Sequence, residues 1–476
     1  MIPMAFELVC RRGLRFLQAM KGAFMSTSWK VMEKETLDLL ASLVQANTTN
    51  PPGNEILAAE VLRGFFARHG VDHEIIEPEK GRANVIAEVG EGDLPPLYLV
   101  SHLDVVAPGD SEWKHDPFGA EIADGQIWGR GTIDTKQVTA IHAMIMAFFQ
   151  RHSAKMNRRM IFLATADEER GSGHGMEFLV KEYPNLFVRG YALTEGGGFT
   201  VEVGGNRVYL LGSAQKGTAQ VTIRSAKDAS SVHPGFSAGG SDPLRDVLTA
   251  LDRIYAYKAP VRLSGSTEAF FDTVACLLAV RRDGPADEEW ALNLIDRCDN
   301  DIIRSLLREA MANRFIPNYV RAGDGSGSAP GSAEARIRWR ILPSYCEGDL
   351  EGELEALLGD LDVMFSVDVE REGHDVGLDN ELYECCCDVI AEMDPGSQVM
   401  PFVTIGNTDG RFLEPRGIAS YDFAPHRGLD VGDAISRAHG VDERLSLESL
   451  RFGLHATVNI VAEMTLNERL SIPEEE

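Results

Sequence analysis

Residues 160–173 read MIFLATADEERGSG. An apolar run from Met160 to Ala166 ends abruptly in Asp167, Glu168 and Glu169. Adjacent carboxylates repel one another unless solvent or a cation neutralises them. The run suits a buried strand, and Gly171, Ser172 and Gly173 suit a turn directly after it. The acids therefore sit either at a wet strand end or at the mouth of a chemical site, and the rest of the chain has to decide between the two.

Working outward, helical and extended patterns alternate from about residue 31. EKETLDLLASLVQ and ILAAEVLRGFFARHG have helical spacing, the second closed by Gly70, with the turn TTNPPGNE between them. DHEIIE, ANVIAEV and PLYLVSHLDVV read as strands, followed by the helix KQVTAIHAMIMAFFQRH. GMEFLVKEYP reads as a further helix and GYALTEG as a further strand. Strands separated by helices predict an α/β fold with a largely parallel central sheet. The pattern changes near residue 214: AQVTIRSA, a helix DPLRDVLTALDRIYAY, a helix-rich insert at roughly 266–313, SAEARIRWRILP, DLEGELEALLGDL and VMFSVDVER. This order predicts a smaller α+β, ferredoxin-like domain. The first style returns near 372. The expected organisation is an N-terminal extension (1–30), a first part of the main domain (31–213), an inserted domain (214–371) and a second part (372–476).

The chain has 476 residues, more than one ordinary core accommodates. Its formal net charge of −27 argues against nucleic acid and anionic membranes as partners. No apolar run approaches the ~20 residues needed to span a bilayer. The opening segment reads as a surface helix or as translation ahead of a start at Met25; its charges follow the apolar run, unlike a secretory signal. Seven cysteines without paired-ligand spacing suggest a reducing compartment, and the cytoplasm is expected. The triplet Cys385, Cys386 and Cys387 lies in a helical pattern, where neighbours point in different directions and do not share a metal.

Taken singly, the candidate chemical residues have bland readings. His102 and Asp104 are two apart at a strand end, Asp134 precedes a helix, Glu195 precedes glycines, and His439 lies in a polar loop with Asp442 and Glu443. Taken together, they put imidazoles and carboxylates at the carboxyl ends of several predicted parallel strands, where open α/β sheets place their sites. Two histidines and several carboxylates with no thiolate suit zinc, cobalt or manganese.

The ordered motifs S-H-x-D-V-V, W-x-x-D-P-F, G-R-G-x-x-D-x-K, D-E-E-x-G, T-E-G, T-D-x-R-F and H-G-x-D-E run from Ser101 to Glu443. They resemble the acetylornithine deacetylase, succinyl-diaminopimelate desuccinylase, aminoacylase and glutamate carboxypeptidase family of two-metal hydrolases. The similarity covers residues 33 to 465, and the segment from Ser101 to Lys136 is closest in style to the carboxypeptidase S branch. The resemblance implies a zinc-exopeptidase-like catalytic domain interrupted by a lid and dimerisation domain, hence a homodimer. It implies two divalent metals, zinc first, with cobalt or manganese as alternatives. His102 and Glu195 would bind one metal, Glu169 and His439 the other, and Asp134 would bridge them. Asp104 would orient His102, and Glu168 would be the general base for a metal-bridging water. The implied reaction is hydrolysis of an amide or peptide bond in a small peptide or N-acyl amino acid. Arg411 matches a position near the substrate carboxylate.

The sequence departs from the family in the inserted domain. Asp228 and Lys227 stand where a His and a Gly are usual, and His233 is a candidate substitute for that substrate-contacting His. Gly327 falls where an Asn is usual, and Thr135 follows Asp134 where a second Asp is common. The altered lid motivates a rival expectation, a metal-binding homologue with little or no turnover. A metal aminopeptidase is a second alternative.

Overall fold

A computed structural model describes residues 29–151, 156–226, 242–263, 265–323, 331–404 and 406–466. The N-terminal extension up to residue 28, Lys227, Asp228, His233, Gly327 and the acidic tail lie outside the described residues. The chain forms two compact units. The larger takes the described residues up to Leu211, Leu378–Met400, and those from Thr408 onward; the smaller takes Gly212–Gly377 and Pro401–Asn407.

In the larger unit, four strands run parallel: Arg158–Thr165, Leu94–His102, Gly190–Thr194 and Ile418–Asp422. His73–Glu79 and Arg82–Val89 extend the Arg158–Thr165 side in antiparallel fashion. The near-continuous burial of Arg158–Thr165 and Leu94–His102 follows from cover on both faces, as for parallel strands generally. On one face Tyr98, Val100, Ile161 and Leu163 pack with Met176, Leu179 and Leu413. On the other lies the helix Lys136–Gln150, buried on every side except its last residue, as its all-round apolar sequence requires. Helices Trp29–Gln45, Ile56–His69 and Leu447–Thr465 pack around it. The expected mostly parallel α/β architecture is therefore the one adopted.

The smaller unit is a four-stranded antiparallel sheet in the order Arg314–Ala322, Ala333–Ile341, Gly217–Ser225, Val363–Arg371. Its strand and helix order is the ferredoxin-like βαββαβ, with Pro243–Ala256 and Glu347–Leu358 as the two crossover helices. Period-two burial in Ala333–Ile341 turns Ala335, Ile337 and Trp339 onto Val247, Leu251, Leu350 and Leu354. The helix-rich insert forms three helices, Ser266–Leu277, Glu288–Arg297 and Asp301–Met311, that pack on one another. Asp287 and Asn300 cap the second and third through their side chains.

Among the described residues no helix is long and apolar enough to cross a membrane.

Candidate metal centre

The parallel register sets the site. His102 pairs with Thr165, and Leu99 with Leu193, so the Leu94–His102, Arg158–Thr165 and Gly190–Thr194 strands end at one edge. His102 is the last residue of its strand. After Thr165 the chain reverses through Asp167, whose φ is +67°, into the short 3-10 turn Glu168–Arg170. A side chain at Gly175 would put its Cβ 1.8 Å from the Ala166 carbonyl oxygen, so only glycine lets the chain close under this turn. Glu195 directly follows Thr194.

The structure brings His102, Asp134 and Glu169 together, with one ligand atom from each lying within 4.8 Å of the others. His102 Nε2 is 3.0 Å from Asp134 Oδ1. His439 Nε2 is 3.1 Å from both Asp134 Oδ2 and Glu169 Oε2. Glu195 falls outside that cluster but is buried close enough to His102 to feel its charge, and neither of its carboxylate oxygens has a hydrogen-bond partner; Glu169 Oε1 has none either. Buried carboxylate oxygens without partners are costly. Two imidazoles and three carboxylates around such oxygens fit a divalent cation. Asp134 is joined to Thr135 by a cis peptide bond.

The clustered acids and imidazoles shift one another's protonation. Burial pushes Glu195 up to about 8, with His102 opposing. Burial also raises Glu169, against its hydrogen bond with His439. The hydrogen bonds to Asp134 and Glu169 lift His439 to about 10. Burial opposes protonation of His102, but Asp104 and Asp134 outweigh it and hold its pKa well above the ordinary value. A bound dication reverses this logic, favouring ionised carboxylates and neutral imidazoles.

Asp104 supports several of these groups at once. His102 Nδ1 is 2.9 Å from the Asp104 carbonyl oxygen and 3.4 Å from its carboxylate, so the main chain makes the shorter contact. The Asp104 carboxylate accepts instead from the backbone N–H groups of Glu168 and Glu169, at 3.1 and 3.2 Å. Glu168 is not one of the three residues whose ligand atoms cluster, although His102 and Glu195 are near enough to act on its charge. Its Oε1 accepts from Arg411 Nη1 at 3.2 Å, and burial pushes its carboxyl well above the ordinary range. Arg411 also donates to Ser172 Oγ at 2.9 Å and is itself buried, so it is engaged within the site wall.

Sequence reasoning missed three supporting residues. Asn50, read as part of a turn, donates from Nδ2 to Asp104 and Asp167 at 2.8 and 2.9 Å. Asp409 accepts from Thr165 and Ser172 at 2.6 and 2.5 Å, tying the T-D-x-R-F motif to the strand end. Glu443, read as polar loop, is fully buried and accepts from the 130–134 loop. Only the motifs that contain Asp409 and Glu443 hinted at these roles.

Comparison with known proteins follows the same line. A "Probable succinyl-diaminopimelate desuccinylase" of Staphylococcus aureus (strain MSSA476) is 24% identical over 383 residues, covering 79% of this chain and 85% of the relative. The "N-fatty-acyl-amino acid synthase/hydrolase PM20D1" of Xenopus tropicalis is 23% identical over 487 residues, covering 96% of this chain and 87% of the relative. The solved M20 family metallo-carboxypeptidase Sso-CP2 of Sulfolobus solfataricus shares the fold, with a TM-score of 0.63 at 18% identity over 90% of this chain and 98% of that one. Residues 98–463 match the family described as Peptidase family M20/M25/M40. That match and the ligand cluster support use of divalent metal. The chain belongs to Peptidase family M20/M25/M40 and is accordingly a hydrolase of C–N bonds.

Proposed function

We propose that this protein hydrolyses the amide bond of a small peptide or an N-acyl amino acid at a two-metal centre, with Glu168 as general base. His102, Asp134, Glu169, Glu195 and His439 would hold the metals, with Asp134 shared between them. Zinc is the proposed metal, and the mixed imidazole and carboxylate set also suits cobalt or manganese. When bound, such ions lower the pKa of water from 15.7 to roughly 7 and polarise the scissile carbonyl.

The chain's own residues supply the proton traffic. Glu168 takes a proton from the attacking water as the new C–O bond forms. It returns that proton to the leaving nitrogen as the C–N bond breaks, giving a carboxylic acid and an amine; the acid's proton then passes to the amine, leaving a carboxylate and an ammonium ion. A positioned carboxylate in this role contributes typically 10²–10⁴-fold. Arg411 holds one oxygen of Glu168. Asp104 fixes the backbone of both Glu168 and Glu169, so base and ligand keep their different orientations.

The observation that carries the reading is this division between neighbours. Glu169 meets His439 in the ligand cluster, whereas Glu168 meets Arg411 outside it. The substrate class is supported by relatives named as a succinyl-diaminopimelate desuccinylase and an N-fatty-acyl-amino acid synthase/hydrolase. Residues 214–371 are proposed as the lid and dimerisation domain, with 31–213 and 372–476 as the catalytic parts. A cytoplasmic setting is proposed from the cysteines: the six described are all free thiols. The test is hydrolysis of a panel of dipeptides and N-acyl amino acids by protein loaded with zinc, cobalt or manganese. Metal-dependent release of amine is expected; absence of turnover on every substrate, with both metals bound, would refute the enzymatic reading.

A further inference from the structure

Asp134 and His439 are far apart in sequence, yet His439 Nε2 lies 3.1 Å from Asp134 Oδ2. A short antiparallel ladder brings their segments together: Arg444–Ser446 pairs with Gln126–Trp128. Gly129 N–H then donates to the Glu443 carbonyl at 2.9 Å, and beyond this point the two chains leave the ladder. Further on, the Glu443 side chain joins them. Glu443 Oε1 accepts from the N–H groups of Ile133 and Asp134 at 2.7 and 3.1 Å. Its Oε2 accepts from Gly131 N–H at 3.0 Å and from Arg130 Nη1 at 2.6 Å. Arg130 Nη2 donates onward to the carbonyl of Gly440, the residue after His439, at 2.8 Å.

We propose that Glu443, fastened by Arg130, is a positioning residue that holds the Asp134 and His439 segments in the spacing metal binding needs. The inference rests on the metal-centre reading above. Both groups are fully buried, with Glu443 0% and Arg130 1% exposed. Three backbone N–H groups and one guanidinium N–H converge on two oxygens. Only an ionised carboxylate accepts at both oxygens without presenting a donor. A glutamine would turn its NH₂ toward those N–H groups and leave buried donors unpaired. Gly131, at φ +91°, supplies the backbone turn that aims its N–H at Oε2. His439 has φ +60°, a conformation that non-glycine residues rarely adopt without being held. The Arg130 bond to Gly440 is such a hold. Partners that orient metal ligands commonly govern affinity as well as geometry.

The experiment titrates the metal-free, full-length protein with Co²⁺ by calorimetry and records the visible spectrum of the cobalt form. Wild type is compared with Glu443→Gln, Arg130→Lys and the neighbouring Asp442→Asn. Wild type is expected to take two ions. Glu443→Gln is expected to weaken at least one site by about 10- to 100-fold and to change the cobalt spectrum. Arg130→Lys should fall between, because one ammonium replaces a fork that reaches two partners. Asp442→Asn should match wild type. Wild-type affinity and spectrum in both Glu443→Gln and Arg130→Lys would overturn the inference. If Glu443→Gln does not fold by circular dichroism, Arg130→Lys decides by the same criterion. A wild-type protein that takes no ion would overturn the metal-centre reading instead, which separates the two failures.

Discussion

Arg411 Nη1 lies 3.2 Å from Glu168 Oε1, and both side chains are almost wholly buried. A guanidinium held in the wall by Ser172 Oγ and the Thr408 carbonyl is less a free anchor for substrate than a clamp on Glu168, the proposed base. Arg411→Ala is therefore expected to lower kcat by about 10- to 100-fold with little change in KM, and Arg411→Lys to recover part of the loss. Steady-state kinetics on any turned-over substrate make the distinction. A raised KM with unchanged kcat would instead assign Arg411 to the substrate carboxylate.

Glu195 predicts an opposition between stability and function. In the metal-free pocket it is a buried carboxyl without a hydrogen-bond partner, pushed up to about 8 by burial. Glu195→Gln should leave the metal-free protein at least as stable as wild type. It should also shrink the stabilisation gained from zinc, which for one site at a hundred times its Kd is about 2.7 kcal/mol. Thermal melts with chelator and with added zinc measure both effects. A Glu195→Gln protein that gains as much from zinc as wild type would remove Glu195 from the ligand set.

Two buried histidines outside the proposed ligand set predict an acid limb in stability. Burial lowers His142 from 6.5 to about 3 and His426 from 6.5 to about 4. The unfolded chain then binds protons first as pH falls. Stability present above pH ~6.5 is lost on descending to about 4 for His426 and about 3 for His142, each on the order of a few kcal/mol. His142 Nδ1 has no hydrogen-bond partner, so His142→Leu should flatten this slope and preserve the fold. Denaturant midpoints between pH 4 and 7 check it; an unchanged slope would count against the assignment.

The core of the parallel sheet predicts a large truncation cost. Phe162 is fully buried and meets Phe66 edge-on at 5.2 Å. Phe162→Ala should cost about 3–5 kcal/mol in urea unfolding, and Phe162→Leu clearly less.

Much of this was legible in the sequence, because periodicity and strand ends carry it. The apolar run up to Ala166 marked a covered parallel strand, and the acids after it marked the sheet's carboxyl edge. The crossover helices of the smaller unit were legible from their spacing. What sequence did not reveal is the long-range support. Nothing local shows that Asn50 bridges Asp104 and Asp167, or that Glu443 turns inward rather than to solvent. Polar residues in loops look alike until the fold supplies their partners. Besides lying 3.4 Å from His102, the Asp104 carboxylate accepts from Asn50 and from the backbone of Glu168 and Glu169, contacts that sequence spacing does not reveal.

The most direct measurement compares wild type and Glu168→Gln, each loaded with zinc to a verified metal content, for release of free amine from N-acyl amino acids and dipeptides. Wild type is expected to turn over at least one substrate, and Glu168→Gln to bind both metals equally while losing about 10²–10⁴-fold in kcat. Equal turnover by the two proteins, or loss of metal with the Glu168 side chain, would contradict its assignment as the base.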